Sequence, residues 1–329
     1  LNLAHIKPLR TVTFLALLLV FKENLHGQLI TNGGLTPTDL VQNVLLGGGV
    51  QVSNIVYTGS NIAIGTFNGT NSNIGLNYGV VITTGNLVFP NGPPGPNNTV
   101  SAGIDNSGGG SALLEQFSSS FGINNNISTY NAATLQFDFV PQGDTISFRY
   151  VFGSEEYKEF VGTQYNDVFG FFISGPDPSG GTYNNKNIAI IPSTSTFVSI
   201  NNVNHLTNSA YFIDNESPFP GQTVQYDGFT TVLTALAAVV PCSTYTIKIA
   251  IADVGDAFYD SGVFLEAKSF SSEGSEVSYT VVNALDADTL YEGCGQALIT
   301  FTWNGDNSTD RTVLYNITGN ATNGSDYTF

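Results

Sequence analysis

The stretch "TISFRYVFGSEEYKEF" (145–160) sets the fold by its alternation. Ile146, Phe148, Tyr150 and Phe152 recur at every second position, the period of a β-strand whose successive side chains point to opposite faces. The same parity runs on to Ser154 and Glu156, so an apolar row ends in a carboxylate. Two later stretches repeat the arrangement. In "YNDVFGFFISG" (165–175) the row Phe169, Phe171, Ile173 is headed by Asp167, and in "YTIKIAIAD" (245–253) the row Tyr245, Ile247, Ile249, Ile251 leads to Asp253.

Working outward, strands are expected at 133–141, 145–152, 167–174, 187–192, 244–252 and 262–270, separated by Gly, Asn and Pro turns. Helical periodicity is scarce. The best helix candidate is "LTPTDLVQNVLLG" (35–47), with Thr38 or Asp39 as cap, and "GGSALLEQF" (109–117) allows one or two further turns. Strands without alternating helices predict an all-β chain, an antiparallel jelly-roll-like β-sandwich rather than an α/β fold. The composition agrees: 41% of the 329 residues are hydrophobic and only 11% charged, enough apolar material for a sizeable core.

Residues 1–27 read as a targeting segment. Lys7 and Arg10 precede the apolar "TVTFLALLLVF" (11–21), and cleavage is expected before Gln28. That run is short for a membrane span, and no later segment qualifies. The first residue is Leu and the chain has no Met, which points to an alternative start or a truncation. The domain plan is then a signal peptide at 1–27, a β-sandwich at 28–271, and the start of a second β module at 272–329 after the polar "SSEGSE" (271–276). The second module is too short to be complete, so the protein is expected to continue past Phe329.

Without residues 1–27 the chain keeps 6 basic and 25 acidic side chains, a net charge of −19. Such a chain repels nucleic acid and anionic lipid and attracts cations. Cys242 and Cys294 lie on opposite sides of the expected domain boundary, and the sequence leaves their pairing open.

Two hairpins are expected, 145–152 with 167–174 and 244–252 with 262–270. If both share one core in the same sense, Glu155, Glu156, Asp167, Asp253, Asp256 and Asp260 gather at one edge. Clustered carboxylates need a shared proton, a basic partner or a bound cation. Basic partners are few, since Lys158 is near in sequence but Arg149 points to the opposite face. Hard oxygen ligands favour Ca²⁺. The competing reading makes these acids ordinary solvated turn residues, and no EF-hand loop is present.

Other chemistry finds little support. His205 is the one histidine after residue 27, so a histidine zinc site is excluded, and a Ser-His-Asp triad would lack its nucleophile elbow. The chain is therefore not expected to be an enzyme. The surviving catalytic alternative is a glycoside hydrolase using a pair such as Glu156 and Asp253, with Tyr157, Tyr165, Phe258 and Tyr259 as sugar platforms. The same aromatics suit a lectin-like site.

"FRYVFGSEEYKEFVGTQYNDVFGFFISGP", "NIAIIPSTSTFVSINNVN", "YDGFTTVL" and "PCSTYTIKIAIADVGDAFYDSGVFLEAKSF" together resemble the choice-of-anchor L domain, over roughly residues 35–271. The tail, through "YEGCGQALITF" and "GNATNGSDYTF", resembles the first half of a Calx-β-like adhesin repeat. The first resemblance implies a large surface or secreted protein of Bacteroidota, often exported by type IX secretion. Together they imply the N-terminal tip of a cell-surface adhesin used in attachment or gliding motility. Its partners would be an extracellular glycan or other surface ligand and proteins of the secretion or gliding machinery. A structural cap docking onto that machinery is the further alternative. The resemblance carries over no catalytic residues.

Overall fold

The computed structural model describes residues 28–272 except 89, 98–101, 124–126 and 217–222, together with 275–282, 296–303, 322 and 324–325. The expected leader lies outside the described residues. So does Cys294, while Cys242 is exposed.

The strands in chain order begin with β1 (Ile30–Asn32), β2 (Val50–Thr58), β3 (Ile64–Asn68), β4 (Tyr78–Thr83), β5 (Thr129–Pro141) and β6 (Thr145–Ser154). Next come β7 (Val168–Pro176), β8 (Thr182–Asn187), β9 (Phe212–Asp214), β10 (Gly228–Thr230) and β11 (Leu233–Ala238). The series continues with β12 (Tyr245–Val254), β13 (Ser261–Glu266) and β14 (Ser271–Ser272). All pairings among them are antiparallel. One sheet runs β1-β3-β4-β13-β6-β10-β9, with β11 and β14 also on β6, and the other runs β2-β5-β12-β7-β8. Two sheets face to face make a β-sandwich, as the strand periodicity predicts. Beyond it, β15 (Ser275–Val282) and β16 (Gln296–Trp303) pair as a two-stranded antiparallel sheet.

Neither expected hairpin forms. β6 pairs with β13 while β7 pairs with β12, so both sequence-adjacent pairs cross from one sheet to the other. Hydrophobic burial explains the choice, since an arch places two apolar rows across the core from each other, whereas a hairpin sets them side by side in one sheet. The rows interlock as aromatics: Phe148 meets Phe171 at 4.7 Å, Tyr150 meets Phe171 at 4.8 Å, and Phe152 stacks on Phe169 at 4.6 Å between ring centroids. Each such pair contributes about 0.5–1.5 kcal/mol beyond its area burial.

The outer faces are also covered in part. Val168, Phe172, Ala250 and Ala252 pack under Leu114 and Phe121 on one side, and Val151 and Phe264 under Tyr226 and Phe229 on the other. Strands buried on both faces read as near-continuous apolar runs, which is why "DVFGFFIS" breaks clean alternation.

Local details depart from expectation in physically simple ways. The helix predicted within 35–47 is capped earlier than expected: the Thr36 hydroxyl, not Thr38 or Asp39, caps it by accepting from the Asp39 amide, Pro37 fills the first position, and the coil widens over Leu40–Leu45. The strand expected at 187–192 lies at β8, ending at Asn187. Beyond it the Asn187 side chain accepts from the Ala189 amide, which turns the chain out of the ladder. The strand expected at 262–270 ends at Glu266, where a turn leads through Lys268 in the left-handed region.

Candidate functional site

The acids gather at the end of the sandwich where the aromatic rows run out. Phe152–Phe169 is the last stacked pair, and the next positions outward are Ser154 with Glu156 on one sheet and Asp167 on the other. Asp253 is the last residue but one of β12, one step past the Ala252–Val168 pair and so beside Asp167, and Asp260 immediately precedes β13, whose Ser261 is paired with Ser154. The predicted gathering thus arises between sheets, across two arches, and not along the edges of two hairpins.

Glu155, Glu156, Asp167, Asp253 and Asp260 are all buried. For these five the solvated-turn reading is overturned. Asp256 is different: it is half-buried, and its carboxylate accepts the Phe258 amide as an ordinary turn acid does.

Two of the acids hold a loop. A Glu155 carboxylate oxygen accepts the Ala102 amide at 2.7 Å, and both oxygens of Asp260 accept the Ile104 amide at 3.2 Å. Asp260 also lies against Gly85, where any Cβ would overlap its carboxylate. The remaining three form a ring. Asp167 accepts the Val254 amide at 3.0 Å and the Ser261 hydroxyl at 2.7 Å. Asp253 accepts the Asn131 side-chain amide at 3.0 Å with one oxygen, while its other oxygen and the Glu156 Oε2 have no hydrogen-bond partner. Asn131 is in the left-handed region at φ 50, on the β5 side of an irregularity in the β5–β12 register between Ile251 and Asp253.

Burial pushes every one of these groups up, and repulsion between acids adds to it in all but Asp260. Glu155 rises to about 9 through burial and then Asp227, and Glu156 to about 9 through burial and then Asp256 and Asp253. Asp260 rises to about 7 by burial, tempered by the Ile104 amide. Asp167 is raised by burial and then by Glu156, and Asp253 by burial and then by Asp167. Glu156, Asp167 and Asp253 therefore close a triangle of repulsion.

No basic side chain relieves it among the described residues. Arg149, on the opposite face as expected, pairs with Glu266 at 2.6 Å, and Lys158 pairs with Asp214 at 2.9 Å and Glu216 at 3.1 Å.

The sequence reading missed Asp227 and Glu216, which approach Glu159 so that one carboxylate oxygen from each lies within 4.8 Å of the others. Nothing local marks Asp227 or Glu216, because residues 216 and 227 sit in loops brought over only by β9 and β10. Thr84, whose hydroxyl faces the Asp253 carboxylate, and the 102–104 amides were missed for the same reason, whereas Asn131 lies in β5 and reaches Asp253 only through the register break there.

The expected sugar platforms divide. Tyr157 is fully buried with its hydroxyl donating to Val203, so it is no platform. Phe258 is 60% and Tyr259 41% exposed, and Phe160 lies 5.5 Å from Tyr259 and 5.6 Å from Tyr165 between ring centroids. These aromatics sit on the turns that cover the acids. A groove of about 380 Å³ opens between residues 58–60 and 106–111, and none of the six acids lines it. His205 is exposed.

An all-β sandwich closed at one end by buried acids and exposed aromatics is the class that fold and site define. The chain belongs to the choice-of-anchor L domain family, whose sequence model matches residues 30–271. Membership places it among cell-surface or secreted proteins. No curated protein and no solved structure matches it. Among the described residues no helix is long and apolar enough to cross a membrane.

Proposed function

We propose that this chain is the N-terminal region of a large exported cell-surface adhesin and that its sandwich attaches to an extracellular glycan. The observation that carries the reading is the exposed pair Phe258 and Tyr259 on the turn between β12 and β13. Flat rings beside the half-buried Asp256 carboxylate suit the apolar faces and hydroxyls of sugars. Tyr259 is held at φ 59, a conformation that non-glycine residues adopt at a cost, and its ring rests against Phe160 with part of its surface free. Type IX export and gliding motility belong to the same proposal through the family, and the two strands beyond residue 272 fit the start of a Calx-β-like stalk.

The test is binding of the purified chain to an array of bacterial and algal polysaccharides. Phe258→Ala is expected to weaken retention about tenfold or more, the scale of losing an aromatic anchor. Release of reducing ends from a bound polysaccharide would replace this reading with a carbohydrate-active enzyme. Capture of a secretion component without glycan binding would replace it with a structural cap.

A further inference from the structure

We propose that Glu156, Asp167 and Asp253 bind one calcium ion that ties the two sheets together at this end of the sandwich. The inference stands apart from the glycan reading and rests on unpartnered oxygens. Glu156 is 1% and Asp253 0% exposed, yet Glu156 Oε2 and Asp253 Oδ1 make no hydrogen bond within normal distance, the Thr84 hydroxyl standing just near enough to the Asp253 carboxylate to lower its proton affinity. Elsewhere the cluster recruits a donor for its carboxylates: Ala102 and Ile104 amides for Glu155 and Asp260, the Val254 amide and Ser261 hydroxyl for Asp167, Asn131 for the second oxygen of Asp253. The two oxygens left over belong to neighbouring acids, one from the turn after β6 and one from the end of β12. A carboxylate buried without a donor is tolerated when a cation supplies the missing charge.

The donor set selects the ion. Carboxylate and hydroxyl oxygens with no imidazole or thiolate exclude a preference for zinc or copper. The ring joins three separate elements, with Ser261 and Thr84 hydroxyls against Asp167 and Asp253. Such an irregular all-oxygen surround fits the 6–8 flexible ligands of Ca²⁺ better than the rigid octahedron of Mg²⁺.

The outer acids are the obvious rival, because Glu159, Glu216 and Asp227 already lie within 4.8 Å of one another. They are exposed or half-buried, and the Lys158 ammonium stands 3.1 Å from Glu216, so a cation is in place there. Among the described residues no three oxygens of the inner ring come this close. Closing on an ion therefore draws the end of β6 toward those of β7 and β12, which makes the site a brace.

The experiment is thermal unfolding of the purified full chain, stripped with chelator and then titrated with Ca²⁺ or Mg²⁺, alongside metal analysis of the dialysed protein. One Ca²⁺ per chain and a rise of about 5–10 °C at ~100 times Kd are expected, with a smaller response to Mg²⁺. Asp253→Asn and Glu156→Gln are expected to abolish the rise while melting no lower than the stripped wild type, because each removes a repelling charge. Glu159→Gln with Glu216→Gln is expected to keep it. Absence of both bound Ca²⁺ and a shift in the wild type overturns the proposal. So does a rise that survives Asp253→Asn but is lost in the outer double variant. If both inner variants unfold, retention of Ca²⁺ by the wild type at one per chain, unchanged in the outer variant, still decides for the ring.

Discussion

The side-chain amide of Asn131 donates to one carboxylate oxygen of Asp253 at 3.0 Å and leaves the other without a donor. Asn131 can do so because it sits at φ 50 beside the register break in β5, and its own carbonyl oxygen accepts the Gly108 amide at 3.1 Å. One residue thus supplies a left-handed backbone, a clamp on the 106–111 loop and a donor to a buried acid. Asn131→Gly keeps the backbone and loses both side-chain bonds, which is expected to cost about 2–4 kcal/mol. Asn131→Ala adds the left-handed penalty and is expected to cost about 1–2 kcal/mol more. Urea unfolding of the two variants checks the order, and equal losses would mean that the backbone conformation contributes nothing.

The buried acids predict an inverted response to pH in the ion-free protein. Glu155 and Glu156 titrate at about 9 and Asp260 at about 7 in the fold, against roughly 4 in the unfolded chain. Between those values the folded state binds more protons than the unfolded state, so stability falls as pH rises. In chelator the melting temperature is expected to be higher at pH 5 than at pH 8. Calcium competes with the protons and is expected to remove the trend or reverse it. A stripped chain that gains stability from pH 5 to pH 8 contradicts the burial of these groups as charges.

How far the sequence could lead is visible in the same acids. Parity along three strands is a local property, and it placed Glu156, Asp167 and Asp253 each at the end of an apolar row. Which strand pairs with which is not local. β6 could take β7 or β13 as neighbour with the same alternation, and only the packing of Phe148, Phe152, Phe169 and Phe171 across the core chooses the arch. The ends coincide in either topology, so the gathering of acids followed from a pairing that does not occur. Tyr157 shows the opposite case: as an aromatic next to glutamates it looked like a platform, but it follows Glu156 at the turn into the core, where Phe212 packs on it at 4.8 Å between ring centroids. The acids at 216 and 227 and the donors at 102 and 104 carry no periodic signal, because loops meet by the fold's closure and not by their own pattern, and Asn131 in β5 owes its role to a register break that alternation does not reveal.

Gly85 is fixed by its neighbour. A Cβ there would overlap the Asp260 carboxylate, which is itself held by the Ile104 amide. Gly85→Ala is expected to destabilise by about 1–3 kcal/mol through forced repacking. Asp260→Ala vacates the space, so the double variant is expected to be less destabilised than the two single losses combined. Additive losses in a double-mutant cycle would show that the overlap is relieved some other way.

Tyr150 makes the last case, because its hydroxyl is buried in the aromatic core with no hydrogen-bond partner. The ring is well used, lying 4.8 Å from Phe171 and 5.7 Å from Phe169 between centroids in edge-to-face geometry. Burial pushes the phenol far above its ordinary range, so it stays neutral at any working pH. Unlike the acids, it cannot be satisfied by a cation, because the uncharged hydroxyl attracts one weakly and no carboxylate shares its position in the row. Tyr150→Phe removes the desolvated oxygen and keeps the ring contacts, and it is expected to stabilise the sandwich by about 1–3 kcal/mol. For a domain of this size that is a rise of roughly 2–4 °C for each kcal/mol, equal with calcium and with chelator. A loss of stability would mean that the hydroxyl has a partner in solution. A rise seen only in chelator would couple Tyr150 to the acidic end two rungs away.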